Sequence, residues 1–106
     1  MGKYLFHGSY SPEGVRGVLK EGGTGRKNAV KALAESAGGR LESFYYAFGN
    51  DSYYVVVDLP SNEAAASISM AVGAVGAANV STVVLLTPEE VDAAARLIVK
   101  YRAPGQ

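Results

Sequence analysis

With 106 residues, 10 basic against 10 acidic side chains and no cysteine, the chain has room for one domain, residues 1–106, whose thin core hides about two thirds of the surface that the unfolded chain exposes. Balanced charge leaves no long-range positive field to gather nucleic acid or anionic lipid, so neither nucleic acid nor membrane is expected as a partner. The missing cysteines exclude disulfides and thiolate chemistry and fit a reducing compartment.

The opening segment, MGKYLFHGSY, lacks the apolar h-region of a signal peptide, and no apolar run approaches the roughly 20 residues that span a bilayer. The expected location is the cytoplasm. Met1-Gly2 would suit myristoylation only with Ser or Thr where Phe6 stands. Residues Lys3 to Tyr10 alternate Tyr4, Phe6, Gly8 and Tyr10 against Leu5, His7 and Ser9, the period of a strand. Ser11 can cap a helix with Pro12 at its first position, and Val15, Val18 and Leu19 follow at helical spacing until Gly22-Gly23 breaks it. Thr24 can cap a second segment carrying Val30, Leu33, Ala34 and Ala37, which stops at Gly38-Gly39.

Leu41 to Phe48 and Tyr53 to Leu59 are rich in aromatic and β-branched residues, and Gly49-Asn50-Asp51-Ser52 joins them as the turn of a hairpin. Pro60-Ser61-Asn62-Glu63 opens a third helix from Ala64 to about Val75, whose small residues permit close packing. Asn79 to Leu86 reads as a fourth strand with an almost wholly apolar end, the pattern of burial on both faces. Thr87 and Glu90 have the spacing of a capping box, which starts a last helix through Val91, Ala94, Ala95, Ile98 and Val99, with residues 103–106 as a frayed tail.

The order β-α-β-β-α-β with a terminal helix predicts an α+β fold of the ferredoxin-like kind, one antiparallel sheet with helices on one face. The other face should also be apolar or aromatic, because both alternating sets of Leu41 to Phe48 carry large side chains. One chain of this size cannot cover both, so the expected partner is a second copy packed sheet to sheet in a homodimer.

The segments KYLFHGSYSPEGVRGVLKEGG, GGRLESFYYAFG, VVVDLPSNEAAA and TVVLLTPEEVD together resemble the GYD-domain family, small bacterial proteins of the dimeric α+β barrel group. The resemblance runs from about Lys3 to Arg102 and implies a ferredoxin-like βαββαβ fold that dimerises through its sheet; it implies no reaction. The family's Gly-Tyr-Asp tripeptide is replaced at the hairpin turn by Gly49-Asn50-Asp51-Ser52-Tyr53.

Three groups of residues carry possible chemistry. His7, the only histidine, sits mid-strand, where it can serve as a proton shuttle, and with Asp58 or Asp51 it would make a minimal acid/base pair. Asp58 lies among apolar neighbours that can raise its pKa, although an acid at a strand end also pairs readily with a basic neighbour. Tyr10, Tyr45, Tyr46 and Tyr54 could line an apolar pocket with polar tips, or anchor a dimer core. Gly22-Gly23-Thr24-Gly25-Arg26-Lys27 superficially resembles a phosphate loop, but it follows a helix and ends in Lys27-Asn28, so it reads as a helix break able at most to hold an anion weakly. No metal or cofactor is expected, since one histidine without clustered ligands makes no metal site.

Three functional readings follow, in order. The first is a homo-oligomeric barrel that binds a small apolar or aromatic molecule. The second is a cofactor-poor barrel enzyme, an isomerase, monooxygenase or lyase, with His7 and an aspartate as acid and base. The third is a structural unit assembled through the small-residue helix Ala64 to Ala78.

Overall fold

The computed structural model describes all 106 residues. Alternation forms the first strand, β1 (Gly2–Gly8), in which Tyr4, Phe6 and Gly8 are buried and Lys3, Leu5 and His7 are half-buried. It ends two residues earlier than its sequence period suggests, because Tyr10 makes only an isolated bridge to Ala78. In α1 (Pro12–Glu21) the Ser11 hydroxyl accepts from the Gly14 amide at 3.1 Å, with Pro12 in the first turn.

Gly22 both closes α1 and opens α2 (Gly23–Ser36). At φ 83°, a backbone that favours glycine, its N–H donates to the Val18 carbonyl while its own carbonyl accepts from Arg26. Gly22 is the one non-helical residue between the two helices, so Thr24 lies inside the first turn of α2 and is not its cap.

Next come β2 (Arg40–Tyr46), β3 (Tyr53–Leu59), α3 (Asn62–Val75, with Ser61 as cap), β4 (Ser81–Leu85) and α4 (Pro88–Ala95). The four strands form one antiparallel sheet in the order β2-β3-β1-β4, the ferredoxin-like arrangement. A bulge at Glu42 shifts the register of β2 between Leu41 and Ser43. Leu41 therefore joins Phe44 against the core, and the simple alternation read from the sequence changes phase.

Helices α2 and α3 cover one sheet face, supplying Ala34, Ala65 and Ile68 to a core of Tyr4, Phe6, Tyr53, Val55, Val57 and Leu59. The opposite face lies open. It carries Leu5 opposite Val56 and Val83, His7 opposite Tyr54 and Ser81, and Tyr45 beside Tyr54.

Two expectations fail at the C-terminal end. β4 is an edge strand whose first four residues are exposed, because no element packs beyond it, so its apolar run is not buried on both faces. α4 stops at Ala95 rather than continuing through Ile98 and Val99, and it has no buried residue.

Only 12 of 106 residues are buried, and the accessible surface is 7314 Å², against about 5,600 Å² for a compact monomer of this mass. The radius of gyration is 16.8 Å, where about 13 Å is usual for this length. The C-terminal segment contributes to this excess, since every residue from Pro88 to Gln106 is exposed. No helix is long and apolar enough to cross a membrane.

Candidate functional site

On the open face, the end of β1 meets the hairpin loop between β2 and β3. Two hydrogen bonds fix that loop: the Ser52 amide donates to the Gly8 carbonyl at 2.6 Å, and the Ser9 hydroxyl donates to the Asn50 carbonyl at 2.6 Å. They hold Asp51 over β1, where its Oδ2 lies 2.5 Å from Nδ1 of His7. A carboxylate only accepts, so Nδ1 carries the hydrogen of this contact. The imidazole also stacks on Tyr54, with ring centroids 5.9 Å apart and planes 12° from parallel. His7 therefore has a set orientation, with Nδ1 turned to Asp51.

His7 and Asp58 are not brought together. Asp58 is paired across the sheet with Lys3 and His7 with Tyr54, four positions or about 13 Å apart at ~3.3 Å per residue. Asp58 is 6% exposed. Its Oδ1 accepts from Lys3 Nζ at 3.0 Å and its Oδ2 from Arg40 Nε at 3.0 Å, while Lys3 also holds Glu42 at 2.8 Å. The Lys3 hydrogen bond first, and that from Arg40 after it, outweigh burial and hold the carboxyl below its ordinary value. Where the sequence allowed a raised pKa, the structure shows an ionised clamp joining β1, β2 and β3.

The four tyrosines expected to share one pocket divide between the two faces. Tyr45 and Tyr54 are neighbours on the open face. Tyr46 crosses to the helix side, where its hydroxyl donates to the Gly23 carbonyl at 3.0 Å. Tyr10 packs against Tyr53 with centroids 5.3 Å apart.

Tyr10 also borders an apolar cavity of about 70 Å³ between the sheet and the helices, walled by Phe6, Phe44, Val55, Ile68 and others, in which Arg26 is the one wall residue that is not hydrophobic. The cavity adjoins a wider cleft of about 400 Å³ bounded by α1, α2 and α3, and the two share Tyr10, Arg26, Leu33, Val72 and Ala78.

Arg26 stands where cavity and cleft meet. Its only ionic partner is Glu21, at a loose 3.6 Å. Burial raises the hydroxyl pKa of Tyr10 and of Tyr46, an effect that the nearby Arg26 charge opposes. Tyr53, whose hydroxyl donates to the Asn79 carbonyl at 2.6 Å, is pushed up to about 12, again chiefly by burial. The arrangement offers an apolar slot with one cation and phenolic edges at its mouth, opening onto a cleft that Glu13 and Glu21 also line.

In the sequence Arg26 reads as part of a glycine-rich helix break able at most to hold an anion weakly, and not as the wall of a cavity. A signal for it was present: Arg26, Val30 and Leu33 stand at i, i+4 and i+7, so an arginine continues the apolar stripe of α2. No three or more His, Asp or Glu side chains come together in a group that could hold a metal ion.

Compared with known proteins, the family model described as the GYD domain matches residues 4–95. Neither a curated protein nor a solved structure matches the chain.

Proposed function

The chain belongs to the GYD domain family, and for this member we propose a homo-oligomeric protein that binds a small aromatic or apolar compound carrying one anionic group. The observation that carries this reading is Arg26, the single charged residue on the wall of an otherwise apolar cavity. The ring or chain enters the cavity between sheet and helices. Its carboxylate meets the guanidinium beside Tyr10, displacing the loose contact to Glu21.

The cavity alone holds only a small group, but the adjoining cleft of about 400 Å³ falls in the roughly 300–1,000 Å³ range of small-molecule sites. The open sheet face supports the oligomer, because its half-exposed Leu5 and Val56 and exposed Val83 and Tyr45 have no cover within one copy. A composition without cysteine supports a cytoplasmic site of action.

Calorimetric titration with benzoate, phenylacetate and their neutral amides tests the ligand class. The acids should bind more tightly than the amides, and Arg26→Gln should weaken the acids at least tenfold, about 1.4 kcal/mol, with little effect on the amides. Equal binding of acid and amide, or acids indifferent to Arg26→Gln, would overturn it.

A second reading is favoured by the 2.5 Å contact between His7 and Asp51. With Nδ1 directed to the carboxylate, Nε2 of His7 is free to take a proton from a substrate held over the open face, as in an isomerase or lyase of the cofactor-poor kind. In that case His7→Gln abolishes turnover while the substrate still binds, and Asp51→Asn lowers kcat and moves its pH profile. Unchanged turnover in His7→Gln would exclude His7 as the base.

A further inference from the structure

We propose that Arg96–Arg102 is an exchange strand: in the oligomer it leaves its own copy and pairs with the free edge of β2 in a second copy of this chain. The inference rests on the homo-oligomer reading above and adds how the copies hold one another.

The segment is unpartnered where it stands. Leu97, Ile98, Val99 and Tyr101 are between 71% and 95% exposed, and no backbone amide from Ile98 to Gly105 donates a hydrogen bond within its own chain. Neighbouring α4 has only 8 residues and none buried, too short to persist without a tertiary contact. Yet Thr87 and Glu90 cap it completely and Pro88 starts it, so the arm begins from a well-defined point.

The sequence of the arm has a strand's period. Leu97, Val99 and Tyr101 alternate with Arg96, Ile98, Lys100 and Arg102, giving one wholly apolar side and one largely basic side. After Ala95 the chain carries three basic residues and no acid, which leaves 7 basic and 10 acidic residues in the remainder. A basic arm thus meets an acidic body of its own kind.

Geometry selects the β2 edge. β2 is seven residues long, the length of Arg96–Arg102, and it lies at the opposite border of the sheet from β4, where the arm starts. Two open faces packed about a twofold axis that runs along the strands place β4 of each copy over β2 of the other. Packed sheets lie about 10 Å apart, and α4 rises about 12 Å at 1.5 Å per residue, so the helix is long enough to span the gap and deliver the strand to the partner's edge. Pairing there would satisfy two rows of unpaired backbone groups and cover a free edge.

Hydrogen exchange of the full chain, read above and below the dissociation constant of the dimer, tests this directly. Amides from Ile98 to Arg102 and those on the outer edge of β2 should slow together at least tenfold in the dimer, and trypsin cleavage after Arg96, Lys100 and Arg102 should slow with them. Successive amides of a strand point to opposite sides, so replacing both Ile98 and Val99 by Pro removes a pairing donor whichever way the strand faces; this variant should dimerise at least tenfold more weakly. A dimer whose arm exchanges and is cut as fast as in the monomer, or whose arm is protected while β2 is not, overturns the exchange strand and leaves the oligomer standing. A chain monomeric at every concentration overturns both.

Discussion

Tyr53 and Gly8 show how single residues fix the end of the sheet that carries the site. The Tyr53 hydroxyl donates to the Asn79 carbonyl, and a Cβ on Gly8 would run into that same carbonyl, so β1 and the segment leading into β4 touch only because residue 8 has no side chain. Tyr53→Phe should cost about 1 kcal/mol for the lost hydrogen bond. Gly8→Ala should cost about 1–3 kcal/mol by overpacking. Urea unfolding at neutral pH measures both.

The same tyrosine contributes to the alkaline limit, together with the hydroxyls of Tyr10 and Tyr46, whose pKa burial also raises. Burial raises Tyr53 from 10.0 to about 12, so its contribution to stability is complete below pH 10 and disappears as the pH climbs toward 12; Tyr53→Phe should flatten that limb in part. Asp58 works at the other end. Held below its ordinary 3.8 by Lys3 and Arg40, it adds stability that is present above about pH 4 and lost as the pH falls through its lowered folded value. Asp58→Asn should flatten the acid limb of the stability curve and leave the alkaline limb in place.

Among the elements, local chemistry was readable from the sequence and tertiary context was not. The caps at Ser11 and Thr87 depend on side chains within three residues of one another, and both form as the sequence predicts. Strand order follows from the alternation of elements. By contrast, the two-sided burial expected of β4 fails because an apolar strand reads the same whether or not a neighbour covers it, and the bulge at Glu42 leaves no mark in a run where both alternating sets are large. The site was legible in the same uneven way: His7 stood out as the single histidine and Asp51 was one of its two candidate partners, but the choice of Asp51 over Asp58 is made by a loop held through Ser9 and Ser52, which no spacing rule reveals.

The distinction between local and tertiary support can be measured on two caps. Ser61 caps α3, which buries Ala65 and Ile68, through a 3.1 Å bond from the Ala64 amide. Ser61→Ala should lower the unfolding free energy by about 1 kcal/mol. Thr87 caps an α4 that buries nothing, and in a monomeric background Thr87→Ala should change the unfolding free energy of the domain by less than about 0.5 kcal/mol. A larger effect at Thr87 than at Ser61 would show that α4 packs on its own domain.

At the scale of the whole molecule, one copy leaves about 1,700 Å² more surface in water than a compact monomer of its mass, an excess larger than the roughly 800 Å² that each partner contributes to a standard interface. The open sheet face and the C-terminal arm both add to it. Leu5 sits near the middle of that face, opposite Val56 on one side and Val83 on the other, and is only half-buried in a single copy. Leu5→Glu should therefore leave the fold intact, since the new carboxylate stays hydrated in the monomer. In a sheet-to-sheet dimer the same carboxylate would be buried without a partner, a penalty of about 3–5 kcal/mol, so the dimer dissociation constant should rise at least a hundredfold. Sedimentation velocity across a range of concentrations, with circular dichroism to confirm the fold, reads both effects at once. A folded Leu5→Glu protein that sediments like its parent would mean that the open face is not where the copies meet, and the buried interface would then have to be sought along the arm and the exposed side of α3.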